Sequence, residues 1–159
     1  MLVCLVYPDN RNELSTLLKY SYENKIPAIF IGSGSNLLVW DDGFDGFVIS
    51  LRKTFKELSI KQNATIIVES GVMLGSMVKE AIHNQICGLE SLVGVPGTVG
   101  GALIMNAGAF GREISSYFVE AKTMTLKGDI KTYSKKDMHF SYRHSTFPNN
   151  PHLFFCHNF

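Results

Sequence analysis

A chain of 159 residues is long enough for one domain with a buried core, or for two small lobes. With 45% hydrophobic and 18% charged residues it is not a disordered chain, and a formal net charge of +1 gives no electrostatic case for nucleic acid or an anionic membrane. Three scattered cysteines, Cys4, Cys87 and Cys156, fit free thiols in a reducing compartment and read as small buried hydrophobes.

Residues 2–7 read as a buried strand, with no basic stretch ahead of it and no small-residue cleavage site behind. No apolar run reaches the length of a membrane span, so a cytoplasmic protein is expected. Pro8, Asp9 and Asn10 then turn the chain. Asn10 with Glu13 three residues on resembles a capping box. Leu14, Leu17 and Leu18 give one apolar face to a helix ending near Asn24. Pro27 forces an extended exit into a second buried strand over 28–31. Strand, helix, strand predicts a βαβ unit with parallel pairing and a right-handed crossover.

A glycine-serine cluster follows at once, and residues 37–39 and 46–51 read as further strands around an Asp41-Asp42-Gly43 turn. Residues 57–60 and 65–69 read as a hairpin around Gln62-Asn63. A second helix is expected over 76–85, with Met77, Val78, Ala81 and Ile82 facing inward and Gly88 as terminator. Residues 117–126 and 130–133 form a hairpin through Lys127-Gly128-Asp129, Ser134 and Asp137 cap a short helical turn, 140–147 is irregular, and 153–156 begins an apolar strand. The order of elements gives an α+β fold. His152, Cys156 and His157 match no standard ligand spacing, so no metal is expected.

Two stretches carry chemistry. Gly32, Ser33, Gly34, Ser35 and Asn36 follow a buried strand directly. Glycines let backbone N–H groups approach a ligand, and consecutive N–H groups make an anion nest suited to a pyrophosphate. The cluster does not open a long helix in the dinucleotide-binding G-x-G-x-x-G manner, and it has no P-loop lysine. The same residues also make an ordinary tight turn. The second stretch, residues 88–111, holds half of the chain's 14 glycines. So many glycines inside apolar sequence weaken any regular element, and they are tolerated where backbone passes close to something flat or charged. The alternative is a tightly packed loop between lobes.

Residues 32–37, the run 88–101, the block Asn106-Ala107-Gly108-Ala109-Phe110-Gly111, and Phe140-Ser141-Tyr142-Arg143-His144-Ser145 resemble, in order and separation, the UDP-N-acetylenolpyruvoylglucosamine reductase family. The resemblance covers about residues 8–153. It implies a two-lobed FAD-binding domain of the vanillyl-alcohol-oxidase/PCMH type. It also implies NADPH as reductant and reduction of an enolpyruvyl UDP-sugar to UDP-N-acetylmuramate, a peptidoglycan precursor. Gly32, Ser33, Gly34, Ser35, Asn36 and Leu37 would wrap the FAD pyrophosphate. Gly94, Pro96, Gly97, Thr98, Gly100 and Gly101 would line the cofactor, with Asn106, Gly108, Ala109 and Gly111. Arg143 matches the family's catalytic arginine, with Tyr142 beside it; read without the family, Arg143 is a surface residue stacked on an aromatic neighbour.

The resemblance implies a first lobe over 1–52 and a second over 53–159, incomplete at its C-terminus, with the family's substrate-binding domain absent. In the family a proton-donating serine and a catalytic glutamate lie in that following part, and a segment with paired glycines comes first; nothing here matches them. The expectations are therefore a reductase completed by a complementary segment, or an FAD-binding fragment without turnover of its own. Exposed apolar surface at an unfinished sheet edge would favour self-association.

Overall fold

The computed structural model describes residues 3–146 and 153–158. The chain starts with strand β1 (Val3–Val6), helix α1 (Arg11–Glu23), strand β2 (Ala28–Ile31) and strand β3 (Gly46–Ser50). Asn10 caps α1 by accepting from the N–H groups of Asn12 and Glu13 at 2.9 and 3.0 Å. Glu13 reaches back past the cap to the N–H of Asp9 at 2.8 Å. Leu14 and Leu18 of α1 are fully buried with Ile49, Leu51 and Phe55. The three strands are parallel, in the order β1-β3-β2. The two strands of the expected βαβ unit therefore share a sheet, but β3 lies between them. Nor do residues 37–39 form a strand: they pair with no strand among the described residues, and Leu38 is 93% exposed.

The second part runs through β4 (Leu58–Ile60), β5 (Ile66–Val68), α2 (Leu74–His83), α3 (Val99–Ile104), β6 (Gly108–Ala109), β7 (Arg112–Glu113), β8 (Glu120–Met124), β9 (Ile130–Ser134), β10 (His139–Ser141), β11 (His144–Thr146) and β12 (Leu153–Asn158). Its main sheet has the order β4-β5-β12-β8-β9 and is antiparallel throughout. Leu74, Met77, Val78 and Ala81 form the buried stripe of α2. Ile82, expected to face inward, falls at the edge of that stripe and is 47% exposed. The helix ends at Asn84, with Gln85 taking the left-handed position at φ 59° instead of Gly88. Gly88 opens a 3-10 turn over Leu89–Leu92.

Two expected irregular stretches are regular. Helix α3 contains Gly100 and Gly101, against the expectation that glycines would break this segment. The reason is close packing: a Cβ on Gly100 would stand 2.9 Å from the Cβ of Ser70, and the Gly100 N–H donates to Ser70 O at 3.1 Å. Residues 139–146 form a tight hairpin, with Ser141 paired to His144 across Tyr142 and Arg143. Among the described residues no helix is long and apolar enough to cross a membrane. Of the cysteines, Cys4 is half-buried, while Cys87, expected inside, is exposed in the turn after α2. The expected irregular stretch ends at Phe147, which lies outside the described residues with His152; the side chains of Cys156 and His157 do too.

Candidate functional site

Strands β2 and β3 run parallel and in register, Ile31 opposite Ser50, so both end at one level. The crevice beyond the carboxyl ends of parallel strands is the usual place for a ligand. Here it opens into a cavity of about 490 Å³. That is the scale of a cofactor or small-ligand cleft.

One wall is the glycine-serine cluster. The backbone N–H groups of residues 32–36 have no partner among the described residues. Gly34 sits at φ +77°, and a Cβ there would meet nothing within 4 Å. Ser33 Oγ donates to Ser35 Oγ at 3.1 Å, which ties the turn together. The opposite wall is the loop into α3. Gly97, at φ +133°, lies across from Ser35, whose Oγ would be 3.7 Å from a Cβ at that position. Thr98 caps α3 by accepting from the Gly101 N–H at 3.3 Å. A Cβ on Gly32 would fall 2.5 Å from Thr98 Oγ1, so the two walls touch at their base. Unpaired donors on one side and glycine backbone on the other make a cradle that fits a dinucleotide's diphosphate.

The expected site residues divide into two groups. Gly32, Ser33, Gly34, Ser35, Asn36 and Leu37 line the cavity, as do Pro96, Gly97, Thr98, Gly100 and Gly101. Arg143 joins them from the β10–β11 hairpin, where it holds the left-handed position at φ 55°. Off the lining are Gly94, Asn106, Gly108, Ala109, Gly111 and Tyr142. Tyr142 is 82% exposed, its ring centroid 5.8 Å from the Arg143 guanidinium carbon. Gly108 and Ala109 form β6, and Gly111 with Phe110 makes the two-residue turn into β7, at φ 75° and 52°.

Asn106 has a different task from the one its block suggested. It is 1% exposed, and its amide is fully engaged by protein. Nδ2 donates to Glu113 Oε2 at 2.7 Å and to Ser141 O at 3.0 Å, while Oδ1 accepts from the Ser115 N–H at 3.3 Å. Ser145 Oγ adds a bond to Ile104 O at 2.9 Å. Together these tie the hairpin bearing Arg143 to the end of α3.

Among the described residues the lining contains two arginines, Arg52 and Arg143, and no Asp or Glu. Its charge therefore favours an anion. The carboxyls of Glu90 and Asp137 are held below the usual range, Glu90 by the Gly88 N–H and Asp137 by the Ser134 side chain, and both lie off the cavity. Sequence reading missed Arg52, Ser70, Gly71 and Met105, all on the lining. None has a local pattern; only strand register and the packing of α3 bring them in.

These features define a flavoprotein-type domain, in which two α+β parts carry glycine-rich loops around a cleft. A profile of the FAD binding domain family matches residues 3–134, and the chain belongs to that family. It is 40% identical over 146 residues to the UDP-N-acetylenolpyruvoylglucosamine reductase of Lactobacillus helveticus, covering 92% of this chain and 48% of the relative. It is 45% identical over 141 residues to the enzyme of that name from Streptococcus uberis, covering 89% and 46%. The chain thus spans about half the length of the curated relatives it matches. Among solved structures it is similar to the UDP-N-acetylenolpyruvylglucosamine reductase of Thermus caldophilus, with a TM-score of 0.81 and 30% identity over 98% of this chain and 53% of that one. p-Cresol methylhydroxylase, at 16% identity and a TM-score of 0.68 over 98% of this chain and 34% of that one, shares the fold. The α+β fold is of the vanillyl-alcohol-oxidase/PCMH type.

Proposed function

We propose that this chain is the FAD-holding part of a cytoplasmic UDP-N-acetylenolpyruvoylglucosamine reductase, which uses NADPH to make UDP-N-acetylmuramate for peptidoglycan. The observation that carries this is the row of N–H groups at residues 32–36 that have no partner among the described residues, in a cleft whose described lining has no Asp or Glu, in a chain 40% and 45% identical to reductases of that name.

Bound FAD supplies the hydride chemistry that no side chain provides. Gly32, Ser33, Gly34, Ser35 and Asn36 hold the diphosphate through backbone and hydroxyl donors, with Leu37 closing the turn. Pro96, Gly97, Thr98, Gly100 and Gly101 form the facing wall. Gly94, strand β6 (Gly108 and Ala109) and the turn at Gly111 flank the cofactor from outside that lining. Arg143 presents a fixed cation to the enolpyruvyl carboxylate and to the charge that develops beside it, where a preorganised donor has most effect. Tyr142 positions substrate next to it. Asn106 and Ser145 keep that hairpin in place. Hydride addition to one carbon of the enolpyruvyl double bond would leave its neighbour as a carbanion or enolate, and that neighbour must be protonated. A complementary segment supplies that acid and the remaining UDP-sugar contacts.

A second reading, a flavin-binding module without turnover, draws support from the half-length coverage of the relatives. Incubation with FAD, NADPH and UDP-N-acetylenolpyruvoylglucosamine, followed by mass spectrometry of the sugar nucleotide, separates the two. A product heavier by two hydrogens supports the reductase. NADPH oxidation with an unchanged sugar nucleotide supports the module.

A further inference from the structure

The register that aligns the ends of β2 and β3 also places a cation beside the nest. Ile31 lies opposite Ser50, so Gly32 leaves one strand where Leu51 leaves the other. Adjacent strands stand about 4.8 Å apart. Arg52, one residue further, thus emerges alongside the turn that begins at Gly32, and it lines the same cavity.

Its mount is rigid. Leu51 and Phe55 are buried, and the Leu51 carbonyl accepts from the N–H groups of Thr54 and Phe55 at 3.3 and 3.0 Å. Thr54 Oγ1 donates to Pro8 O at 2.6 Å. Its neighbour Lys53 is engaged elsewhere, with its ammonium 3.9 Å from the centroid of the Tyr7 ring. The Arg52 guanidinium has no ion-pair or hydrogen-bond partner among the described residues. The buried carboxylate nearest in sequence to this wall, Glu69, is taken by Arg11 at 3.2 Å and by the Glu57 N–H at 3.0 Å. A fork of donors held on a fixed turn, beside backbone N–H groups without a described partner and in no described ion pair, is the arrangement that recognises phosphate.

We propose that Arg52 is a binding residue for the diphosphate of the dinucleotide, closing the nest of residues 32–36 from the β3 side. This rests on the reading that the cleft holds FAD. Arg143, on the far hairpin, is left for the reacting end of the site.

The test is a titration of the purified 159-residue chain with FAD and, separately, with riboflavin, which has no phosphate. Each is followed by flavin fluorescence at low and high salt, with thermal melts as a check on folding. Arg52→Ala should weaken FAD binding roughly ten- to hundredfold, the loss of one charge-assisted contact, and leave riboflavin unchanged. The salt dependence of FAD binding should become shallower. Arg52→Lys should recover part of the loss, and Lys53→Ala should change nothing. Undiminished FAD affinity in Arg52→Ala overturns the proposal. So does an equal loss for riboflavin, which makes Arg52 structural. Weaker NADPH binding with intact FAD binding overturns it in favour of the reductant's phosphates. If the unaltered chain binds neither flavin, the FAD reading itself falls and this proposal with it.

Discussion

The contact between the two glycine walls gives a sharp test of how the cleft is assembled. Gly32→Ala adds one methyl group, and Gly32 lies outside the left-handed region, so any cost is steric. That methyl would stand 2.5 Å from Thr98 Oγ1 and 3.5 Å from Thr98 Cβ. Thr98 is 3% exposed and cannot swing away into solvent. Its Oγ1 is also the cap of α3, through the Gly101 N–H. Overpacking at such a site costs roughly 1–3 kcal/mol, and loss of an N-cap about 1 kcal/mol. Thr98→Ala alone loses the cap and a buried γ-methyl, both also lost once in the double variant. In the double variant the obstructing hydroxyl is gone, so the new methyl fits and the cap is lost only once. The two changes should therefore be non-additive, with the double variant more stable than the sum of the singles predicts by roughly 1–2 kcal/mol. Thermal melts resolve this, since each kcal/mol shifts a chain of this length by roughly 2–4 °C. Simple additivity would refute the reasoning, because it would mean that the walls do not touch.

Other expectations follow from the same geometry. Arg143→Ala should leave FAD binding intact and remove reductase activity, read in parallel by flavin fluorescence and sugar-nucleotide turnover. Loss of flavin would make Arg143 a cofactor residue instead. Asn106→Ala should lower stability by roughly 1–3 kcal/mol in urea denaturation, because it strips donors from Ser141 O and from the Glu113 carboxylate in a buried network. A neutral result would mean the network is dispensable. Asp137 is held below its ordinary 3.8 by the Ser134 hydroxyl and N–H. A depressed acid contributes stability that is present above its unfolded value and lost as pH falls through its folded one. Acid melts should therefore show part of their pH dependence abolished in Asp137→Asn, and identical acid profiles would count against the capping box.

Local pattern carried the early fold well, since Leu14 and Leu18 at helical spacing and the apolar run before Gly32 are periodic signals that need no partner. The insertion of β3 between β1 and β2 has no such signal, because strand order is a long-range choice. The apolar run Leu37, Leu38 and Val39 reads as a strand for the same reason, yet no sheet edge receives it. At Gly100 and Gly101 the composition argues against a helix; what permits α3 is Ser70, thirty positions away, pressed against Gly100. Part of the cleft was legible because residues 32–36 follow a strand directly. Arg52 was not, since a lone arginine beside a lysine is an ordinary surface pattern until register sets it next to Gly32. Asn106 was legible as important but not in its role, because its partners are side chain and backbone of the Glu113–Ser115 segment and the Ser141 carbonyl of the β10–β11 hairpin, 35 positions away.

The most direct measurement is the visible absorption spectrum of the purified chain during titration with FAD, followed by NADPH. The account predicts saturable binding of one flavin per chain, with shifted bands that bleach when NADPH is added. A colourless protein whose added FAD keeps the spectrum of free flavin would contradict it.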